Sequence, residues 1–199
     1  MALPQEAEDA SFAGVDAEGE ELDGCRFVRC SFRGATLDGI ETRRCTFDAC
    51  DFSNAQLNAS EHEGSDFANS IFENANLFGA SFVDCRLLGA SLAGAVVTGL
   101  SIRGGDVSYA FLRGLDLSGL DLQGVKAQET DFSESSLVDA DLRRADLARA
   151  VLFNTKLEGA DLRDALLDGV DLSVALCRGA RLDLAGAVQL ARGLGAVVD

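Results

Sequence analysis

A repeat of five residues organises nearly the whole chain and limits its fold more than any other feature. Counting every fifth residue from Phe12 to Leu182 gives 35 positions without an insertion, and 27 of them are Leu or Phe. The position two residues earlier, from Ala10 to Ala180, is Ala, Ser, Thr, Cys or Gly in 27 of 35 cases. This period fits neither an α-helix nor a flat strand. It indicates a chain that turns a corner every five residues, with one large central residue and one small corner residue facing inward in each repeat.

The polar positions of the repeat are also regular. Asp or Ser often precedes the central residue and Gly often follows it by two, as in the segments SFRGA and DLSGL. This pattern resembles that of the pentapeptide-repeat proteins, and the resemblance covers residues 10–184. It implies an all-β fold, a right-handed quadrilateral parallel β-helix (a pentapeptide-repeat solenoid) with four repeats per coil. The 35 repeats then form eight to nine coils, a rod of about 40 Å at a strand spacing of about 4.8 Å.

A four-sided coil places residues 20 apart in the sequence above one another. We name the four sides by their first central residues: the Phe12, Ala17, Leu22 and Phe27 sides. Nine of the twelve Phe are central residues, and eight of these nine lie on the Phe12 and Phe27 sides. We therefore expect the rings to stack in separate ladders on these two sides, with Leu filling the others.

The two ends of the chain depart from the repeat. Glu20 occupies a corner position and Ala17 a central one, so we expect an irregular first coil and a loose acidic tail over residues 1–9. The β-helix is expected over residues 10–184. After Asp183 the five-residue phase is lost, and the apolar residues of the closing segment predict that it begins as a helix. Residues 185–199 are interpreted as a C-terminal dimerisation or capping segment.

Apolar residues gather at outward positions near this C-terminal end. Such a cluster beside an apolar tail more often marks an interface than a defect, and an end-to-end homodimer would also cover the open end of the β-helix. The predicted dimer interface comprises Phe153, Leu176, Leu184, Val188, Leu190, Leu194 and Val197. The alternative is a cap formed within one chain.

The residues with reactive side chains have structural interpretations. Five of the six Cys occupy corner positions as small buried groups, and without a CxxC pair or a His in register they predict free thiols and no metal site. The single histidine, His62, is a central residue one coil above Thr42, and we expect its imidazole to hydrogen bond to Thr42 or to the backbone. The sequence contains no nucleophile elbow, phosphate loop or metal triad, so we predict a protein that is not an enzyme and carries no cofactor.

The charge of the chain argues against several classes of partner. Lys and Arg number 17 against 33 Asp and Glu, which gives a formal net charge of -16. Direct nucleic-acid binding requires a basic surface, and an anionic membrane would repel such a chain. No apolar run reaches the roughly 18 residues of a membrane span. Because the first ten residues are acidic and lack an apolar stretch, we expect no secretory signal and a cytoplasmic protein.

The acidic residues are unevenly distributed over the four sides. The Leu22, Ala17 and Phe12 sides carry -5, -4 and -3, the Phe27 side carries only -1, and residues 1–9 add -3. A dimer would be a rod of about 80 Å, and duplex DNA of that length carries about 50 phosphates against twice 16 net charges on the protein. Such a rod can occupy a protein groove built for DNA. The carboxylates predicted to bind the partner precede central residues on the three acidic sides and are Asp116, Asp121, Asp131, Asp141 and Asp161.

Within the pentapeptide-repeat family, the chain resembles fluoroquinolone-resistance proteins of the mycobacterial MfpA type and, more distantly, of the Qnr and AlbG types. The similar segments are SEHEGSDF, FVDCRLLGASL, VSYAFLRGLDLSGLDL and ARLDLAGAVQLARGLG. The resemblance implies a DNA mimic that binds DNA gyrase, modulates it and protects it from quinolones or gyrase-poisoning natural products. The alternative is a structural or scaffold protein of the same family whose partner is not a topoisomerase.

Overall fold

The chain forms a parallel β-helix in the computed structural model, which describes residues 2–198. Its strands are β1 (Glu6–Glu8), β2 (Glu21–Asp23), β3 (Arg26–Val28), β4 (Glu41–Arg43), β5 (Thr46–Asp48), β6 (Glu61–Glu63), β7 (Ser81–Val83) and β8 (Ser101–Arg103). Strands β1, β3 and β5 form a parallel sheet on the Phe27 side, and β2, β4, β6, β7 and β8 form another on the Leu22 side. Elsewhere single parallel bridges join the coils. Among residues 2–198, no helix is both long enough and apolar enough for a membrane span.

Every pairing joins residues 20 apart in the sequence. Strands β4 and β6 align Thr42 with His62, and single bridges continue the same spacing up to the pair Asp161 and Arg181. From Glu6 to Arg181 this register makes between eight and nine coils. The predicted four-sided β-helix is therefore confirmed.

The β-helix begins earlier than the sequence predicted. Strand β1 pairs in register with β3, so residues 6–8 belong to the first coil and do not form a loose tail. Ala17 is buried, and Leu3 enters the core beside Leu37, which lies one coil above Ala17. The carboxylate of Glu20 accepts a hydrogen bond from the Leu3 N–H, with Oε2 3.1 Å from the nitrogen. The predicted loose tail is wrong because residues 6–8 pair with β3. The predicted irregular first coil is wrong because Leu3, which lies outside the repeat, fills the space that Ala17 leaves.

Two aromatic ladders form the first half of the core. Phe12, Phe32, Phe52 and Phe72 stack with ring centroids 4.9–5.1 Å apart, and Phe27, Phe47 and Phe67 stack at 4.9–5.2 Å. The ladders were predicted as separate, but they also touch one another, because rings of the two sides meet edge to face at 5.3–6.1 Å. Both geometries are favourable for aromatic quadrupoles. The ladders therefore form one continuous aromatic wall.

Helix α1 (Leu184–Gly193) closes the C-terminal end of the rod. Asp183 is its N-cap, and Oδ1 of this residue accepts a hydrogen bond from the Gly186 N–H at 2.8 Å. Leu190 packs against the core. The helix also lies close to the last coil at Gly186, where a Cβ would be only 3.2 Å from the Leu182 side chain. The predicted helix is confirmed. One of its faces forms the cap within the chain that was the alternative to a dimer contact.

Candidate protein-binding surface

The aspartates that precede central residues have a role in the coil itself. Oδ1 of Asp116, Asp121 and Asp131 accepts a hydrogen bond from the backbone N–H two residues later, at 2.9–3.2 Å. The same bond occurs at Asp141, Asp161, Asp51, Asp66, Asp106, Asp146 and Asp171. This arrangement is an Asx turn, which bends the backbone after the residue. The frequent Asp at this position is therefore explained first by the turn of each repeat and only second by surface charge.

Two of the five predicted carboxylates are paired with arginine. The Nε of Arg143 lies 2.9 and 3.0 Å from the two carboxylate oxygens of Asp141, and the Nε of Arg163 lies 2.8 Å from Asp161 Oδ1. The hydrogen bonds from Arg163 lower the pKa of Asp161 to about 2, and those from Arg143 lower the pKa of Asp141. Each pair is neutral as a unit. These two aspartates therefore contribute less to the field around the rod than their charge suggests.

The coil also distributes the predicted carboxylates over three sides. Asp121, Asp141 and Asp161 stack in one row on the Leu22 side. Asp116 lies on the adjoining Ala17 side, and Asp131 lies on the Phe12 side, opposite the row. A flat partner surface cannot contact Asp131 together with the row, whereas a groove that encloses the rod can.

The first coil changes the charge of the Phe27 side. Glu6, Glu8 and Asp9 extend this side by one repeat, so that its net charge is -4 instead of the predicted -1. Arg29 pairs with both Glu8 and Asp9, at 2.6 and 2.8 Å. Further along, opposite charges alternate in one row of this side, formed by Asp66, Arg86, Asp106, Lys126 and Asp146. The prediction of one nearly balanced side is wrong for the whole rod, because all four sides carry an acid excess.

Two exposed carboxylates on β6 were not among the predicted contacts. Glu61 and Glu63 flank the buried His62 and project outward from the Leu22 side. Neither belongs to the ion pairs found among residues 2–198. They border a shallow depression together with Ser81 and Val83. Because they are exposed and lie outside these ion pairs, Glu61 and Glu63 are stronger contact candidates than the ion-paired aspartates. In the sequence they are marked only by a Glu on each side of a central residue.

The reactive side chains lie in the core. The Nδ1 of His62 is 2.8 Å from Thr42 Oγ1, as predicted, and its Nε2 is 3.0 Å from Ser60 Oγ. Its ring stacks on Phe82 at 4.6 Å, and burial lowers the pKa of His62 to about 3.

The cysteines are free thiols, as predicted, and burial raises the pKa of Cys25 to about 11. In the part of the chain that the structure describes, no group of His, Cys, Asp or Glu side chains is placed to hold a metal ion.

The predicted dimer residues divide between two environments. Five of them are 49–89% exposed: Phe153, Leu176, Leu184, Leu194 and Val197. Leu190 instead packs against the core, and Val188 is half-buried. Leu190 therefore belongs to the cap, while the five exposed residues are free to meet a second surface.

The comparison with protein families agrees with the geometry of the coil. The family described as "Pentapeptide repeats" matches with 8 copies over residues 8–40, 25–61, 50–89, 70–108, 116–152 and 145–181. The chain belongs to the pentapeptide-repeat family. No curated protein matches this pentapeptide-repeat chain in sequence.

Among solved structures, this pentapeptide-repeat chain is similar to QnrB1, described as a plasmid-mediated fluoroquinolone resistance protein. A trypsin-treated QnrB1 variant aligns with a TM-score of 0.83 and 23% identity, covering 98% of this chain and 97% of that chain. Full-length QnrB1 aligns with a TM-score of 0.68 and 25% identity, covering 96% and 100%. The likeness extends over the whole rod and confirms the fold.

Proposed function

We propose that this protein mimics duplex DNA, binds DNA gyrase, modulates its activity and protects it from quinolones or from natural products that poison gyrase. The observation that carries the proposal is the uninterrupted acidic rod, which has a net charge of -16 and an acid excess on every side. A duplex segment of about 40 Å carries about 23 phosphates, a charge of the same order. The similarity of the entire rod to QnrB1, a fluoroquinolone resistance protein, supports the choice of target.

Charge on every side suits a partner that surrounds its ligand. A groove that encloses duplex DNA presents basic side chains to more than one face of the ligand. The row of Asp121 on the Leu22 side and Asp131 on the opposite side would meet such a groove at the same time.

Because the contacts between this protein and gyrase are between exposed charges, salt should screen them. Raising the salt concentration from about 50 to about 200 mM should weaken inhibition of gyrase by at least tenfold.

Replacement of Asp116, Asp121 and Asp131 together by serine should weaken inhibition of gyrase about tenfold, because three carboxylates without an arginine partner are lost. Serine occupies the same repeat position at Ser31 and Ser91, so the coil accepts it. The measurement is the protein concentration that halves DNA supercoiling by purified gyrase. Parallel assays with a fluoroquinolone follow drug-stabilised DNA cleavage.

The matched control replaces Asp66, Asp106 and Asp146 by serine. This variant loses the same number of charges and the same turn bonds, but from the row in which Arg86 and Lys126 alternate with the aspartates. We expect a loss below about threefold, as for charges that are already compensated nearby. Equal losses in both variants would remove the predicted carboxylates as a specific site. No effect of the unaltered protein on gyrase at either salt concentration would favour a scaffold protein with another partner.

We infer that the exposed apolar residues at the C-terminal end join two rods end to end. Leu184 and Leu194 are 81% and 70% exposed and lie at the two ends of α1, outside the cap made by Leu190. Leu184→Glu combined with Leu194→Glu should therefore convert a dimer to a monomer in sedimentation equilibrium, because charge opposes burial at an interface. Phe111→Glu, at an exposed site on the Phe12 side away from α1, is the control and should remain dimeric. An unaltered protein that sediments as a monomer would contradict the inference.

A further inference from the structure

The longest interruption of the backbone pairing between coils lies in the middle of the rod. A shorter one, at Leu152 and Asp171, adjoins the 3-10 helix Leu172–Val174. Residues 94–104 and the segment one coil later, 113–123, exchange no backbone hydrogen bonds, although both are fully described. Seven bonds of the regular ladder are missing; their donors would be the N–H groups of Gly94, Val97, Gly99, Ile102, Gly104, Asp116 and Asp121. The ladder is complete one coil earlier and one coil later, as shown by Leu77 N to Val96 O and Leu117 N to Ser136 O, both 2.8 Å.

The interruption begins at Gly94, at the end of the Phe12 side, and extends over the whole of the Ala17 and Leu22 sides. On the Phe12 and Phe27 sides the same two coils remain paired, by Leu92 N to Phe111 O at 3.0 Å and Val107 N to Lys126 O at 2.7 Å. On the Ala17 and Leu22 sides the coils separate and enclose a cleft of about 870 Å³. The gap is therefore a wedge. It opens away from the corner at which the Phe27 and Phe12 sides meet.

The cleft reaches the core of the rod. Leu100, Leu115 and Leu120 line it and are 6–8% exposed, whereas Ser135 and Ala140, the corner residues one coil after Leu115 and Leu120, are at most 1% exposed. Closure would remove the remaining exposure of these three leucines and restore the missing ladder. Both changes favour a closed arrangement.

The side chains at the corners of these coils oppose closure. Leu120 lies one coil above Leu100 in a column of corner residues where the flanking coils carry Ala80 and Ala140, and Leu115 occupies a corner position in the adjacent column. Two stacked leucines do not fit a corner shaped for alanine, since extra methyl groups in a packed core force the backbone to shift. The large corner residues therefore hold the coils apart.

Gly105 marks the end of the wedge. Its φ is +78°, and a Cβ at this position would clash with the carbonyl oxygen of Cys85. Only glycine satisfies both conditions. The regular ladder resumes here with a bond from Lys126 N to Gly105 O at 3.2 Å.

We propose that the rod is hinged at this wedge. The coils before residue 94 and the coils after residue 123 act as two rigid blocks that turn about the corner between the Phe27 and Phe12 sides. The open state removes the crowding between the corner leucines. In the closed state the missing backbone hydrogen bonds form and the cleft disappears. Two opposing contributions of this kind make an element bistable. The hinge is a property of the rod itself and does not depend on the identity of its partner.

A disulfide across the cleft tests whether the hinge closes. Thr98 and Ser118 are exposed, lie 20 residues apart in the sequence and border the cleft from its two opposite coils on the Ala17 side. In a closed coil their Cα atoms would be about 4.8 Å apart, within disulfide range. Thr98→Cys with Ser118→Cys should therefore form an intramolecular disulfide under mild oxidation with oxidised glutathione, detected by mass. The control, Phe78→Cys with Thr98→Cys, spans the previous, paired coils of the same side.

Hydrogen exchange of the same protein, before and after oxidation, tests the open state. In the reduced protein the amides of Val97, Gly99 and Ile102 should exchange at least about 100-fold faster than those of Leu77 and Leu117, which are bonded. The disulfide should slow the fast group at least tenfold. Equal protection of both groups in the reduced protein would show that the two sides are already paired and overturn the proposal. Failure of the cross-cleft pair to form a disulfide, while the control pair does, would show a fixed gap and overturn it equally.

Discussion

Phe52→Ala should lower the free energy of unfolding by about 3–5 kcal/mol. Phe52 is 2% exposed and stacks between Phe32 and Phe72, with both ring centroids 4.9 Å away. It also meets Phe47 and Phe67 edge to face. Alanine would leave a cavity in the aromatic wall that the coils cannot close, because the backbone ladder fixes their spacing. Chemical denaturation at neutral pH measures the loss.

The control for this substitution is Phe111→Ala. Phe111 lies on the same side of the rod, away from α1, but is 55% exposed, so its loss should change stability by no more than about 0.5 kcal/mol. A loss below about 1 kcal/mol for Phe52→Ala would mean that neighbouring rings relax into the cavity. The aromatic wall would then be more plastic than its ring spacings indicate.

Acidification should destabilise the protein through His62. Burial lowers its pKa from 6.5 to about 3, so below pH 6.5 the unfolded chain binds a proton that the folded chain does not. The free energy of unfolding therefore falls as the pH falls towards 3, with a limiting slope of about 1.4 kcal/mol per pH unit. Between pH 6 and pH 4 this single group should account for a loss of about 2.5 kcal/mol.

His62→Leu isolates this contribution. The variant loses the hydrogen bonds to Thr42 and Ser60 at every pH, but it retains all the carboxylates that also titrate in acid. The difference in stability between the two proteins should therefore shift by about 2.5 kcal/mol in favour of the variant between pH 6 and pH 4. Parallel pH profiles would show that the imidazole becomes protonated within the folded core.

The regular part of the rod could be predicted because each repeat has the same local requirements. Phe32 and Phe52 are central residues 20 apart, and four repeats per coil place their rings in contact without further information. The bond between His62 and Thr42 follows from the same spacing. The C-terminal helix was predictable because loss of the five-residue phase after Asp183 removes the requirement to turn.

The candidate surface was less predictable because charge alone does not reveal a partner. Asp161 stands in the repeat as any other acidic residue does, and only its contact with Arg163 shows that it is neutralised. Glu61 and Glu63 are distinguished only by lacking such a partner among the described residues. Each of the pairs Asp141–Arg143 and Asp161–Arg163 forms within one repeat, between residues two apart, and depends on the rotamer that the arginine adopts, which the sequence does not specify.

The amino-acid sequence by itself determined the period, the number of residues per coil and the inward positions, because a packed core accepts one large and one small residue at each turn. The tertiary structure decided where this regularity fails. Leu3 completes the first coil from outside the repeat, and the stacked Leu100 and Leu120 accompany the opening of two sides of the rod. Both outcomes depend on how residues distant in sequence share a fixed volume. Only their packing in three dimensions, and no local preference of the chain, settles how that volume is filled.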